Sequence, residues 1–336
     1  MISDKNLCEG KMERVVLAST EPATRLLRVY NSLRKKYAVS VLDPILKARE
    51  TKRFGRVTSA ALRWPLYSLQ ILVAKSNILH FFDSPNFVAI PMISKKCRFV
   101  FDYRTLFTEK LEVDYPPLMN AAYWVEGKLV KRSDVILTAN NLMADKIRNR
   151  YRRKAYVVPN YPLKSFVPTR NKWEIRGDMT KPVVLFHAHF RSVIDFENLL
   201  RCAKKMRKCE FWLIGDGPFR GWAQQHASPN VKFLGYIPHE EIANYLNACD
   251  VGIVPMKPLL KSISNDQDLL KVGELAALRK PIVATGIAPS SQYLLVKPQE
   301  LAKGIEEALS GNVSTPIPHY WEDHSEKILF EAYEGL

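Results

Sequence analysis

Residues Val231 to Met256 read VKFLGYIPHEEIANYLNACDVGIVPM. The apolar runs Val231–Leu234 and Val251–Val254 are strand-like, and a longer helical pattern separates them. Strands that are apolar without alternation and are joined through helices belong to parallel sheets covered on both faces. The same rhythm extends outward. Val183–Phe186, Phe211–Ile214 and Ile282–Ala284 repeat it nearby, and Val15–Ala18, Ala38–Leu42, Ile78–Phe82, Phe99–Phe101, Val135–Thr138 and Tyr156–Val158 repeat it earlier. Between the two sets lies VVPNYPLKSFVPTRN, broken by Pro159, Pro162 and Pro168, which reads as a linker. The expectation is an α/β protein of two facing, doubly wound domains with ligands at the carboxyl ends of the strands.

The length of 336 residues suits two domains at roughly 100–200 residues each. A hydrophobic content of 47% excludes disordered and low-complexity classes. No apolar run reaches the ~18 residues that a membrane span requires. The first residues carry Asp4 and Glu9 and lack an apolar core, so no signal peptide is expected, and Met12 is an alternative start. Cys8, Cys97, Cys202, Cys209 and Cys249 are odd in number and scattered, which argues against a disulfide framework or structural zinc and for a cytoplasmic location.

Charge is divided unevenly. Residues 1–162 hold 29 Lys/Arg and 14 Asp/Glu, net +15, whereas residues 163–336 hold 21 and 20, net +1. An excess of this size in one half points to an anionic partner. Lys47, Arg49, Lys52, Arg53, Arg56 and Arg63 precede the run from Trp64 to Leu72, a pattern of cations beside Trp, Tyr and Leu suited to an anionic membrane surface. A helix packing its apolar face on the core is the competing reading. RNRYRRK, from Arg148 to Lys154, reads as a solvated loop. No nucleic-acid module accompanies these cations, so no nucleic-acid partner is expected.

The most specific chemistry lies in NDQDLLKVGELAALRKPIVAT, from Asn265 to Thr285. A polar loop leads into a helix starting near Leu269, and a buried strand follows. Helix amino termini present unpaired N–H groups and partial positive charge, which can hold a diphosphate. Lys271, in the first turn, opposes the helix dipole unless an anion is bound there. Glu274, three residues on, lies on the same face, where its carboxylate can accept from two ribose hydroxyls. An N-capping acid and a surface ion pair are the structural alternatives.

This segment resembles the donor-site signature of family 4 retaining glycosyltransferases, of pattern LKxxExxAxGxPVVAT. Asp266 stands in place of the usual first Glu, and Arg279 where Gly is commoner. FWLIGDGP (Phe211–Pro218), the Val231–Met256 block, SDVILTANNLMADKI (Ser133–Ile147) and AYVVPNYP (Ala155–Pro162) are similar to further family blocks in the same order. The resemblance implies the GT-B architecture: a Rossmann-like acceptor-side domain over 12–162, a Rossmann-like nucleotide-sugar domain over 163–318, and a helix over 319–336 crossing back to the first. It implies transfer of a sugar from a nucleotide-sugar to a glycan or lipid-linked acceptor, with retention and no obligatory metal or other cofactor. The location implied with the basic half is cytoplasmic, peripheral on the inner face of the membrane.

Carried over residue by residue, Glu274 binds the ribose and Asp266 contacts hydroxyls of the transferred sugar. Lys271 and the backbone of Leu269 and Leu270 hold the diphosphate. Arg191 is the second phosphate cation, although Asp195 stands where a lysine is expected. Gly215 belongs to the glycine-rich turn, and Tyr236 and Ile237 border the base. Asp266-Gln267-Asp268 imitates a metal-binding DxD but follows the wrong kind of element.

The first domain departs from the family, with Pro22 and Arg25 where a glycine-rich turn is common. Asp102 and Arg104, in FDYRTLF, are candidate acceptor-side catalytic residues, with structural hydrogen bonding as the alternative. His80 reads as a core histidine. His187 and His189 alternate as on one strand face, too few ligands for a metal site. A noncatalytic protein of the same fold, binding a polyanion through its basic half, is the alternative function. A nucleotide-sugar epimerase is a third.

Overall fold

The computed structural model describes residues 12–20, 24–44, 56–83, 85–104, 116–258 and 269–336, except the side chains of 56–62 and 116. Asp266 and Asp268, Pro22, Cys8, and the basic residues Lys47, Arg49, Lys52 and Arg53 fall outside them, as does the side chain of Arg56. The chain divides into two compact units, Met1–Val158 with Glu326–Leu336, and Pro159–Ser325.

The first unit holds a parallel sheet of β1 (Arg14–Ala18), β2 (Ala38–Leu42), β3 (Ile78–Phe82), β4 (Arg98–Tyr103), β5 (Val135–Thr138) and β6 (Tyr156–Val157). Their order is β2-β1-β3-β4-β5-β6, with the direction of winding reversing beside β1. Strand alternation sends Leu79, Phe81, Phe99, Phe101 and Tyr103 into one core. That face is covered by α2 (Arg56–Val73), the 3-10 segment Asn86–Ile93, α3 (Met119–Arg132) and α4 (Asn141–Tyr151). The other parity, including His80 and Asp102, meets α1 (Thr24–Leu33) and the last helix, α11 (Glu326–Glu334).

The second unit repeats the plan with β7 (Val183–His187), β8 (Glu210–Ile214), β9 (Val231–Gly235), β10 (Val251–Pro255), β11 (Ile282–Thr285) and β12 (Leu294–Leu295). All pairings are parallel, in the order β12-β11-β10-β7-β8-β9. β12 is not among the strands expected from the sequence. The helices are α5 (Lys172–Arg176), α6 (Phe196–Lys205), α7 (Arg220–Gln225), α8 (His239–Ala248), α9 (Leu270–Ala277) and α10 (Leu301–Leu309).

The proline-rich stretch is not a free linker. Phe166 is buried in the core of the second unit, and Asn244 Oδ1 accepts from the N–H groups of Thr169 (2.7 Å) and Arg170 (2.9 Å). Spaced prolines remove backbone donors without preventing such packing.

Candidate nucleotide site

Glu274 sits on α9 with its carboxylate buried. His187, the last residue of β7, places Nε2 2.8 Å from Oε2, and His239, the first residue of α8, places Nε2 2.6 Å from Oε1. Burial alone would raise the carboxyl pKa. The two imidazole hydrogen bonds outweigh it and hold Glu274 at about 2. The group is therefore a carboxylate at neutral pH. Since a carboxylate only accepts, both imidazoles turn an Nε2–H toward it. His239 also packs against Phe166, ring centroids 5.6 Å apart.

Lys271, one turn earlier, lies with its ammonium 5.2 Å from the centroid of the Phe186 ring. Burial lowers its pKa to about 8, and the Glu274 charge offsets part of that shift. An ammonium held short of full hydration at a helix amino terminus gains from an arriving anion. Leu269 is the N-cap residue and supplies no side-chain cap to the first turn, which begins at Leu270. The helix amides and Lys271 thus lie at one end of α9, with the fixed carboxylate one turn on.

Arg191 is exposed on the loop between β7 and α6. Asp195 caps α6, its Oδ1 accepting from the Asn198 N–H at 3.1 Å, which is why an acid stands there and not the expected lysine. Gly215 serves packing: at φ +131°, a Cβ would fall 1.8 Å from the Ala188 carbonyl oxygen. Tyr236 is 78% exposed beyond β9, and Ile237 is half-buried against the core. β7 ends at His187, and His189 is exposed beyond it, so the two histidines do not alternate on one strand. Among the described residues, no group of three or more His, Cys, Asp or Glu is arranged to hold a metal ion.

Nothing in the sequence marks His187 and His239 as partners of Glu274. His187 belongs to an HxH pattern with too few ligands for a metal site, and His239 carries no pattern, because a pairing across 35 residues follows no local period.

A separate surface cavity of about 450 Å³, lined by Lys181, Lys204, Arg207 and Glu210 among others, opens near the starts of β7 and β8. Glu210 pairs there with Lys181 at 3.5 Å, and Lys204 lies in the last turn of α6, where a cation suits the helix dipole. Lys181, Glu210 and Lys204 thus have structural explanations.

In the first unit, Asp102 is fully buried on β4 and accepts from Arg25 Nε at 2.7 Å. His80 Nε2 lies 3.4 Å from the same oxygen, and its Nδ1 lies 2.7 Å from the Tyr333 hydroxyl. Burial opposes ionisation of Asp102, but the Arg25 charge and the His80 contact hold its carboxyl well below the usual range. Burial pushes the His80 imidazole down, toward the neutral form. These surroundings support the structural alternative for Asp102 and the core reading for His80. Arg104 is half-buried with its guanidinium 5.3 Å from the Phe82 ring centroid.

Residues 181–311 match the family Glycosyl transferases group 1. The matched stretch runs from β7 through α10 and includes Lys271, Glu274, His187 and His239. No curated protein matches the chain in sequence. Sucrose-phosphate synthase from Thermosynechococcus elongatus superposes with a TM-score of 0.65 at 16% identity, over 96% of this chain and 94% of that one. Anabaena HepE in complex with UDP and glucose gives 0.67 at 15% identity, over 96% and 95%. A UDP-N-acetylglucosamine 2-epimerase gives 0.60 at 10% identity, over 96% and 97%. These likenesses, to a synthase, to HepE and to an epimerase, show the GT-B fold alone and do not choose among activities.

Proposed function

We propose that the chain is a retaining glycosyltransferase that moves a sugar from a nucleotide-sugar donor to an anionic or lipid-linked acceptor. The observation that carries this reading is the carboxylate of Glu274, ionised and held by two imidazoles one turn beyond Lys271, inside the glycosyl transferases group 1 match. A carboxylate fixed in this way offers its remaining lone pairs to a vicinal diol, which describes a ribose.

In this reading the ribose hydroxyls meet Glu274, and the diphosphate lies against Lys271, the amides at Leu269 and Leu270, and Arg191. Tyr236 and Ile237 border the base, and Asp266 addresses the sugar. As the glycosidic bond lengthens, the sugar gains oxocarbenium character while negative charge collects on the leaving diphosphate. In this reading Lys271, Arg191 and the helix amides stabilise that charge, and no metal is invoked. The acceptor is assigned to the basic first unit, at the inner face of the cell membrane. Arg104 remains the candidate acceptor-side residue, with Asp102 positioning Arg25 and His80.

Titration calorimetry of UDP, GDP, ADP and CMP into wild type and Glu274→Ala tests the donor site, with UDP first because the HepE structure holds it. Binding of one nucleotide to wild type, weakened at least about tenfold in a folded Glu274→Ala, is expected from the loss of a charge-assisted hydrogen bond pair. If none of the four binds, or Glu274→Ala binds equally, the reading fails. With a donor in hand, the product anomer by NMR decides retention. The competing noncatalytic reading predicts polyanion binding that strengthens at low salt and ignores Glu274.

A further inference from the structure

We propose that the outward face of α2 docks on an anionic lipid bilayer. This deepens the transferase reading by naming the membrane-contacting surface, and its observations do not involve the donor site.

The helix is anchored to the sheet by its inner side. Tyr67 is buried, its hydroxyl accepting from the Ser19 N–H (2.8 Å) and donating to the Leu42 carbonyl (2.8 Å). Ile71 is buried on the same side, and Trp64 meets Phe87 edge-on at 4.8 Å. A helix packed in this way ordinarily turns polar residues outward. This one does not. Leu66, Leu69, Leu72 and Val73 are between 39% and 67% exposed, at the spacing of one helical stripe. Ile90, on the adjoining 3-10 segment, adds another exposed apolar side chain.

The charges around the stripe select the partner. The sequence of α2 holds no acidic residue, and residues 56–98 hold six Lys/Arg against a single acid, Asp83, which is buried; Asp43, whose carbonyl accepts from Gln70, adds one exposed acid beside the helix, so cations still predominate. Lys95 Nζ donates to the carbonyls of Ile71 (2.8 Å), Leu72 (2.7 Å) and Ala74 (2.6 Å), fixing a cation at the carboxyl end of the stripe. Lys75 and Lys96 are exposed nearby in sequence and make no ion pair among the described residues. Apolar side chains along a helix with cations at its end fit the boundary between acyl chains and anionic headgroups. No helix of the described residues is long and apolar enough to cross a membrane, so α2 would lie in the interface plane.

The test is co-sedimentation of the full chain with vesicles of phosphatidylcholine alone or with one-third phosphatidylglycerol. Wild type, Leu69→Ser/Leu72→Ser and Lys75→Ser/Lys96→Ser are compared, each first checked for an unchanged thermal melt. Wild type is expected to bind the anionic vesicles, and each double variant to bind roughly tenfold less or weaker. Equal binding of the Leu variant, or equal binding of wild type to neutral vesicles, overturns the proposal. So does a wild-type dimer, seen by sedimentation, that ignores vesicles and dissociates in the Leu variant, since a second copy would then cover the face. UDP titration of the same variants separates this outcome from failure of the donor site.

Discussion

At the scale of single residues, Lys271 and Glu274 lie one turn apart and are pulled in opposite senses. Burial lowers the Lys271 pKa to about 8, while imidazole hydrogen bonds overcome burial to keep Glu274 near 2. If Lys271 holds the diphosphate, its protonated form binds, and the bound anion raises its pKa. Nucleotide affinity is then expected to be greatest below pH 8 and to fall as pH rises through about 8. Near that pH, calorimetry in buffers of different ionisation enthalpy should record proton uptake on binding. Affinity that stays flat from pH 7 to 9.5 removes Lys271 from the site. Asp102 makes the opposite kind of prediction. Asp102→Ala leaves Arg25 buried without its carboxylate and should lower stability by about 3–5 kcal/mol, whatever the substrate. Urea unfolding checks it, and full stability with lost turnover would restore a catalytic role. That Lys271 and Glu274 share one helix face was legible in the sequence because one turn fixes their spacing. The His187 and His239 contacts were not, because they come from strands and helices distant along the chain.

At the scale of elements, the strands were legible almost to the residue, because apolar β-branched runs bounded by polar turns leave little freedom. The helix ends were less so, since capping is decided by one or two side chains. The end of α9 shows this. Arg279 has φ +53°, its N–H donates to Ala276 O (2.9 Å), and the Lys280 N–H donates to Leu275 O (3.0 Å). That pair of bonds is a Schellman closure with a left-handed residue just past the cap, where glycine is free of Cβ strain. The family pattern's glycine thus has a backbone reason, and Arg279 carries the strain. Arg279→Gly is expected to stabilise the protein by roughly 0.5–1 kcal/mol, read as a rise in thermal midpoint without change in nucleotide affinity. Asp195→Ala, at the other kind of terminus, should cost about 1 kcal/mol through loss of the α6 cap. An Asp195→Ala variant with unchanged stability and weakened nucleotide binding would instead place Asp195 in the donor site.

At the scale of the whole molecule, sequence position and structural membership part company at the carboxyl end. Glu326–Leu336 belong to the first unit, although all of the second unit precedes them. In α11, Leu329, Ala332 and Tyr333 are buried, and the Tyr333 hydroxyl lies 2.7 Å from His80 Nδ1. Lys35 pairs with Glu326 at 2.6 Å, and the Lys36 ammonium lies 4.4 Å from the centre of the Phe330 ring. Composition reports that the first 162 residues are basic; that the last helix joins the first domain was implied only by the family resemblance, as a helix over 319–336. The joining itself depends on long-range contacts with α1 and β3. Burying a large apolar side chain is worth about 1.5–3 kcal/mol, so losing these contacts removes several kcal/mol from a unit whose total stability is of order 5–15 kcal/mol. A chain ending at Ser325 should therefore exchange amide hydrogens faster in β1, β3 and β4, while β7, β8 and β10 keep their protection. Hydrogen exchange read by mass spectrometry resolves the two units directly. Uniform loss across both sheets, or no loss in β3 beside the vacated His80, would show that α11 does not stabilise the first unit in this way.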